Sequence, residues 1–134
     1  MMAKLLLVED ARYLRMASKR VLIEAGFEVD EAIDGEEALR IARQSQPDLI
    51  ILDMLLPRMG GEQVLRALRQ DQATAAIPVV VLSSLSQCNA AKLKEEGAVA
   101  YIEKSKLDLT TGGDKLVSVV KAALRKAKSR PAHT

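Results

Sequence analysis

Aromatic residues are nearly absent from this chain: its 134 residues include no tryptophan, and Tyr13, Phe27 and Tyr101 are the whole aromatic complement. The core must therefore be built from Leu, Ile, Val, Ala and Met, and recognition of nucleic acid by stacking bases on aromatic rings is disfavoured. Cysteine is equally scarce. Cys88 stands alone, which excludes an internal disulfide, offers no metal site and suits a reducing compartment. No apolar run approaches the roughly 18 residues of a membrane span, and Leu5-Leu6-Leu7-Val8 is too short for the core of a signal peptide. Repeats, low-complexity tracts and linkers long enough to separate a second domain are also missing. These absences point to a single soluble, cytoplasmic domain, long enough to bury one substantial core.

Charge is unevenly spread. The net value of +2 hides an acidic body, with 14 Lys and Arg against 18 Asp and Glu over residues 1–114, and a basic end, with six Lys and Arg and no acid over residues 115–134. A solvated last helix, whose cations suit its negative C-terminal end, explains that end more simply than a DNA-binding arm does. The expected organisation is one folded domain over residues 1–128 and a basic C-terminal tail over 129–134, with no direct nucleic-acid or membrane partner.

The chain is organised around Asp48-Leu49-Ile50-Ile51-Leu52-Asp53. Its apolar run is short and unbroken, as a strand buried on both faces of a parallel sheet requires. The same pattern opens the chain, where the run from Leu5 to Val8 ends at Glu9-Asp10. Leu14, Ala17, Val21, Leu22 and Ala25 then recur at helical spacing, with Gly26 as the stop. Phe27 to Ala32 reads as the second strand, and Asp34 with Glu37 as a capping-box start to a helix reaching about Gln44. Gly60-Gly61 precedes a helix carrying Val64, Leu65 and Leu68. Ile77 to Leu82, rich in β-branched residues, reads as the fourth strand and ends at Ser83. A fourth helix is expected at 87–96, a fifth strand from Val99 to Glu103 ending at Lys104, and a last helix capped by Asp114 and fraying before Pro131. Five strands alternating with five helices imply an α/β fold, a doubly wound parallel sheet with right-handed crossovers.

The strand ends carry the chemistry. Glu9 and Asp10, Asp53, Ser83 and Lys104 each follow a buried strand, and in a parallel sheet these ends share one edge, where ligands bind. Gathered carboxylates repel unless a cation joins them, and hard oxygen donors of this kind suit Mg²⁺. A hydroxyl and an ammonium opposite the acids complete a pocket for a phosphoryl group. Taken singly, each residue has a plainer reading: Asp53 as a turn or capping residue, Glu9 and Asp10 as acids at a helix start, Ser83 as a cap, Lys104 as a solvated cation and Tyr101 as core.

Four segments together resemble the receiver domains of two-component response regulators, the CheY-like family: Leu6-Leu7-Val8-Glu9-Asp10, the stretch from Asp48 to Gly61 with Pro57, Ile77 to Ser83, and Gly97 to Lys104. The resemblance implies a flavodoxin-like sheet of strand order 2-1-3-4-5. It further implies that Asp53 is the phosphoacceptor, fed by a histidine kinase or phosphotransfer protein. Asp10 and the backbone carbonyl of Leu55 would be Mg²⁺ ligands beside Asp53, and Glu9 would act largely through metal-bound water. Ser83 would hydrogen-bond the phosphoryl group, Lys104 would pair with it, and Tyr101 would be the switch aromatic that turns inward. Output would pass through the face of the fourth helix, fifth strand and fifth helix to a downstream protein, with no free metabolite as substrate. Leu55 and Leu85 would flank the acyl phosphate and slow its hydrolysis.

Three alternatives are weighed against this reading. The chain could be a receiver cut from a longer regulator or hybrid kinase instead of a stand-alone one. An Mg²⁺-dependent phosphatase with an aspartate nucleophile would want a second acid where Leu55 stands. A flavin carrier would need phosphate-cradling donors where Glu9-Asp10 would repel the phosphate. One departure from the family is visible: Ser105 follows Lys104 where receivers usually have proline. The 104–105 bond is expected to be trans, because a cis bond without proline costs about 3 kcal/mol.

Overall fold

The structure is a computed structural model that describes residues 2–83, 97–104, 107 and 113–128. Five parallel strands, β1 (Lys4–Val8), β2 (Glu28–Ala32), β3 (Leu49–Asp53), β4 (Val79–Ser83) and β5 (Ala98–Glu103), form one sheet in the order β2-β1-β3-β4-β5. Around it lie α1 (Arg12–Glu24), α2 (Gly35–Ser45), α3 (Gly61–Gln70) and α4 (Asp114–Lys128). The expected helix at 87–96, the Lys104-Ser105 bond, Leu85 and the basic tail at 129–134 lie outside the described residues.

The unbroken apolar runs of β1, β3 and β4 follow from cover on both faces. Alternate residues point to opposite sides of a strand. Leu6, Val8, Ile50, Leu52, Val79 and Val81 therefore pack against α2 and α3, while Leu5, Leu7, Leu49, Ile51, Val80 and Leu82 pack against α1 and α4. Each buried side chain of this size contributes about 1.5–3 kcal/mol of transfer free energy. In β1, β3 and β4 the polar strand ends are thus the exception to an otherwise buried apolar run, whereas β2 is mostly polar and only partly buried.

Local chemistry decides where elements start and stop. At the end of α1 the Gly26 N–H donates to the Ile23 carbonyl at 3.0 Å and the Phe27 N–H to the Leu22 carbonyl at 3.1 Å, with Gly26 at φ +99°. This is a Schellman termination, closed by the burial of both Phe27 and Leu22 in the α1/α4 core. Phe27 is used up in that cap, so β2 begins one residue later than the pattern predicts. Asp34 caps α2 as expected, accepting the Glu37 N–H at 2.9 Å, but the Glu37 carboxylate returns to the Ile33 N–H rather than to that of Asp34. Asp114 is the first residue of α4 and not the residue before it, a place where an acid meets the positive end of the helix. Beside the predicted apolar stripe of α1, Ser18 is also fully buried.

Candidate functional site

β3 delivers Asp53 to the edge of the sheet in register with Leu82 of β4, and β4 continues by one residue to Ser83, which pairs with Glu103 of β5. Asp53 and Ser83 are each 1% exposed and Glu9 is fully buried. Lys104 follows β5 and reaches across the strand ends, placing its Nζ 2.9 Å from Asp53 Oδ2 and 3.2 Å from Glu9 Oε1. The other oxygens are held by the backbone: Asp53 Oδ1 accepts the Leu55 N–H at 3.1 Å and Glu9 Oε2 the Ala11 N–H at 3.2 Å. Asp10 is exposed, and one carboxylate oxygen from each of Glu9, Asp10 and Asp53 lies within 4.8 Å of the others. The acids and Lys104 expected at this edge are therefore brought together.

Tyr101 stands apart from that cluster. It pairs with Val81, two residues before Ser83 in register, and is partly buried against the α2/α3 core. The Leu55 side chain is 55% exposed beside the site. Its segment turns sharply, because the Met59 N–H donates to the Pro57 carbonyl at 2.7 Å around Arg58, which adopts φ +67°. That geometry is a tight three-residue turn.

A family profile for the response regulator receiver domain matches residues 5–111. The chain belongs to that family. Among proteins similar to this receiver, the dual master transcriptional regulator RpaA of Synechocystis is 34% identical over 97% of this chain and 52% of its own length. Protein PilH of Pseudomonas aeruginosa is 32% identical over 77% of this chain and 86% of its own length. The solved structure of the chemotaxis response regulator CheY4 of Vibrio cholerae superposes with a TM-score of 0.82 at 29% identity, covering 92% of this chain and 99% of that one. The receiver spans about a third to a half of the length of several curated relatives it matches. Among the described residues no helix is long and apolar enough to cross a membrane.

The electrostatics of the receiver site are those of crowded acids around one ammonium. Burial, followed by the close approach of the Asp53 carboxylate, pushes the Glu9 carboxyl up from 4.5 to about 7, against the Ala11 N–H and Lys104. Burial works to lower the Lys104 pKa, but its contacts with Asp53 and Glu9 outweigh this and hold it above its ordinary value. A proton on Glu9 relieves the repulsion when no metal is bound. The unfolded chain gives up that proton near 4.5 and the folded chain holds it to about 7, so the stability of the metal-free protein should fall as pH rises across this window. Glu31, whose pKa is lowered chiefly by its bond to Lys19, acts in the opposite sense below 4.5 and does not mask the effect. Urea unfolding in EDTA between about pH 5 and pH 8 should show the loss, and Glu9→Gln should remove it.

Two features of the site are invisible in the sequence pattern. The N-terminus of α3 is seated directly on the Asp53-Met54 peptide: the Gly61 N–H donates to the Met54 carbonyl at 3.1 Å, and a Cβ on Gly61 would lie 2.6 Å from Met54 Cα and 3.0 Å from the Asp53 carbonyl oxygen. The Gly60-Gly61 pair reads from the sequence only as a loop leading into a helix, whereas Gly61 is also a close approach. Gly61→Ala should destabilise the protein by about 1–3 kcal/mol in urea, because backbone and not a flexible side chain must yield. The second feature is Arg15, whose side chain turns back from α1 to the end of β1.

Proposed function

We propose that this chain is a phosphoacceptor signalling switch in which Asp53 takes a phosphoryl group from the phosphohistidine of a histidine kinase or phosphotransfer protein. The observation that carries the reading is a buried carboxylate at the end of a central strand with an ammonium at 2.9 Å and two further carboxylates within 4.8 Å. A structural ion pair alone would need one acid for one cation. Here two acids meet Lys104 and a third, Asp10, lies within 4.8 Å of both, and Glu9 Oε1 and Asp53 Oδ2 find no conventional hydrogen bond beyond that ammonium among the described residues.

That donor set fits Mg²⁺, a hard cation that takes carboxylate and carbonyl oxygens together with water. Asp10, Asp53 and the backbone carbonyl of Leu55 would hold it, with Glu9 assisting through water. Bound there, the ion supplies neutralising charge to the transferring phosphoryl group. The chain's own residues do the rest. An Asp53 oxygen forms the new bond to phosphorus as the phosphorus–nitrogen bond of the donor breaks, and the electron pair leaves on the imidazole. Lys104 pairs with the phosphoryl oxygens and the Ser83 hydroxyl donates to one of them. Drawing Ser83 inward makes room for the Tyr101 ring, which biases the face that includes β5 and α4 toward a second arrangement that a downstream protein reads; the fourth helix expected to complete that face lies outside the described residues. Water attacking phosphorus breaks the bond to Asp53, releases inorganic phosphate and resets the switch. Leu55 stands where an apolar side chain slows that attack.

Acetyl phosphate tests the reading without a cognate kinase. With Mg²⁺ present, intact mass spectrometry should detect one phosphoryl group per chain; in EDTA the adduct should be lost. Equal labelling in both conditions would end the proposal. The switch acts on itself and on no free metabolite, in the cytoplasm, and neither nucleic acid nor membrane contacts it directly. Residues 1–128 form the receiver and 129–134 its basic tail. The PilH match favours a stand-alone regulator, since the aligned region makes up 86% of that protein, whereas the RpaA match, 52% of that protein, favours a receiver within a longer chain. A reading frame continuing past Thr134 would decide for the second. An aspartate-nucleophile phosphatase is disfavoured by Leu55, half-exposed at the position where such an enzyme wants its second acid.

A further inference from the structure

Asp10 is the only exposed member of the acid cluster, and among the described residues its carboxylate makes no hydrogen bond or ion pair. Nothing bonded to the side chain aims it at Asp53. What is held is the backbone on either side. Arg15 Nη1 donates to the Glu9 carbonyl at 3.1 Å and to the Asp10 carbonyl at 3.2 Å. Those carbonyls belong to the two peptide planes flanking the Asp10 Cα, and two fixed planes leave the backbone dihedrals of Asp10, and hence the direction of its Cβ, little freedom. The guanidinium is in turn anchored by Glu31 of β2, with Arg15 Nε 3.3 Å from Glu31 Oε1. Lys19 holds the second oxygen of Glu31 at 2.8 Å. The Arg15 side chain is 16% exposed, so its own end of the bracket is partly shielded from the solvent competition that weakens surface pairs, although its bond to the Asp10 carbonyl lies at the surface.

We infer that Arg15 is a positioning residue for the cation site, holding the Glu9 and Asp10 peptides so that the Asp10 carboxylate faces Asp53, with Glu31 as the anchor of Arg15. The inference rests on the reading of the acids as an Mg²⁺ site. Charge and positioning predict opposite signs here. As a nearby cation, Arg15 repels Mg²⁺, so its removal would tighten binding. As a bracket on the loop, its removal lets Asp10 swing away, so binding weakens. Residues that orient metal ligands typically account for 10–100-fold in affinity.

The test is calorimetric titration of MgCl₂ into the metal-free protein, with urea unfolding in EDTA as the structural control. Arg15→Met should weaken Mg²⁺ binding by about 10-fold. Arg15→Lys should recover part of that loss, since an ammonium can reach a carbonyl but cannot also hold Glu31. Glu31→Gln keeps the shape and loosens the anchor, and should weaken binding by less than Arg15→Met. Unchanged or tighter binding in Arg15→Met would overturn the inference, as would a loss of stability with affinity preserved. Should Arg15→Met fail to fold, Glu31→Gln decides, and parental affinity in that variant overturns the role. A parent protein that binds no Mg²⁺ would sink the metal-site reading together with this inference, whereas parental binding with equal binding in the variants removes Arg15 alone.

Discussion

Asp53→Asn should lose labelling by acetyl phosphate to background, a fall of several orders of magnitude, because the substitution removes the nucleophile itself. The change is nearly isosteric. An amide oxygen can still accept the Leu55 N–H that Asp53 Oδ1 now holds at 3.1 Å, so the turn after β3 should survive and the variant should fold. What changes is charge: Lys104 loses its partner at 2.9 Å and Glu9 loses the neighbour that helps to hold its pKa near 7. The Glu9 pKa should therefore move down, back toward its ordinary value, and Mg²⁺ should bind more weakly for want of one carboxylate. These side effects make the experiment specific. A variant that is folded and labelled as well as the parent would show that the phosphoryl group goes elsewhere, and the assignment of Asp53 would be wrong.

Lys104→Ala should slow phosphorylation by about 10²–10³-fold, the usual cost of deleting one preorganised charge that stabilises a developing anion. Mg²⁺ binding should be unchanged or tighter, because the ammonium now sits 2.9 and 3.2 Å from two of the acids and opposes a second cation there. Any fraction that is phosphorylated should fail to move Tyr101, since the ammonium that would pull the phosphoryl group across the strand ends is gone. Amide shifts around Tyr101, compared before and after acetyl phosphate, report that step directly. Full switching in the variant would assign the coupling to another residue, and a collapse of Mg²⁺ affinity would mean that Lys104 orders the site instead of competing for it.

The legible part of the site was the part written as consecutive residues. Glu9, Asp10, Asp53, Ser83 and Lys104 each end a short apolar run, and a parallel sheet allows one outcome for such ends: a common edge. Where sequence reasoning slipped, tertiary contacts had taken over a residue for another task. Phe27 has the pattern of a strand residue, but its N–H and side chain close α1. Asp114 resembles a cap, yet it is the first residue of the helix. Ser18 has no place in the expected stripe of Leu14, Ala17, Val21, Leu22 and Ala25, yet it is fully buried.

Sequence alone determined the layer architecture and the acids, hydroxyl and ammonium at one edge, because hydrophobic period and strand-end chemistry are local properties read along the chain, whereas the strand order was implied by the family resemblance and is seen in the sheet itself. Only the tertiary structure decided the distances that turn those residues into a site: the 2.9 Å approach of Lys104 to Asp53 across the end of the intervening β4, the seating of α3 on the Asp53-Met54 peptide through Gly61, and the Arg15 bracket on Glu9 and Asp10. The physical reason is sequence separation. A lysine some fifty residues from its partner, or an arginine that bonds backbone carbonyls and so leaves no trace in the identity of the residues it holds, has no local signal. Its place exists only once the sheet has brought the strand ends together.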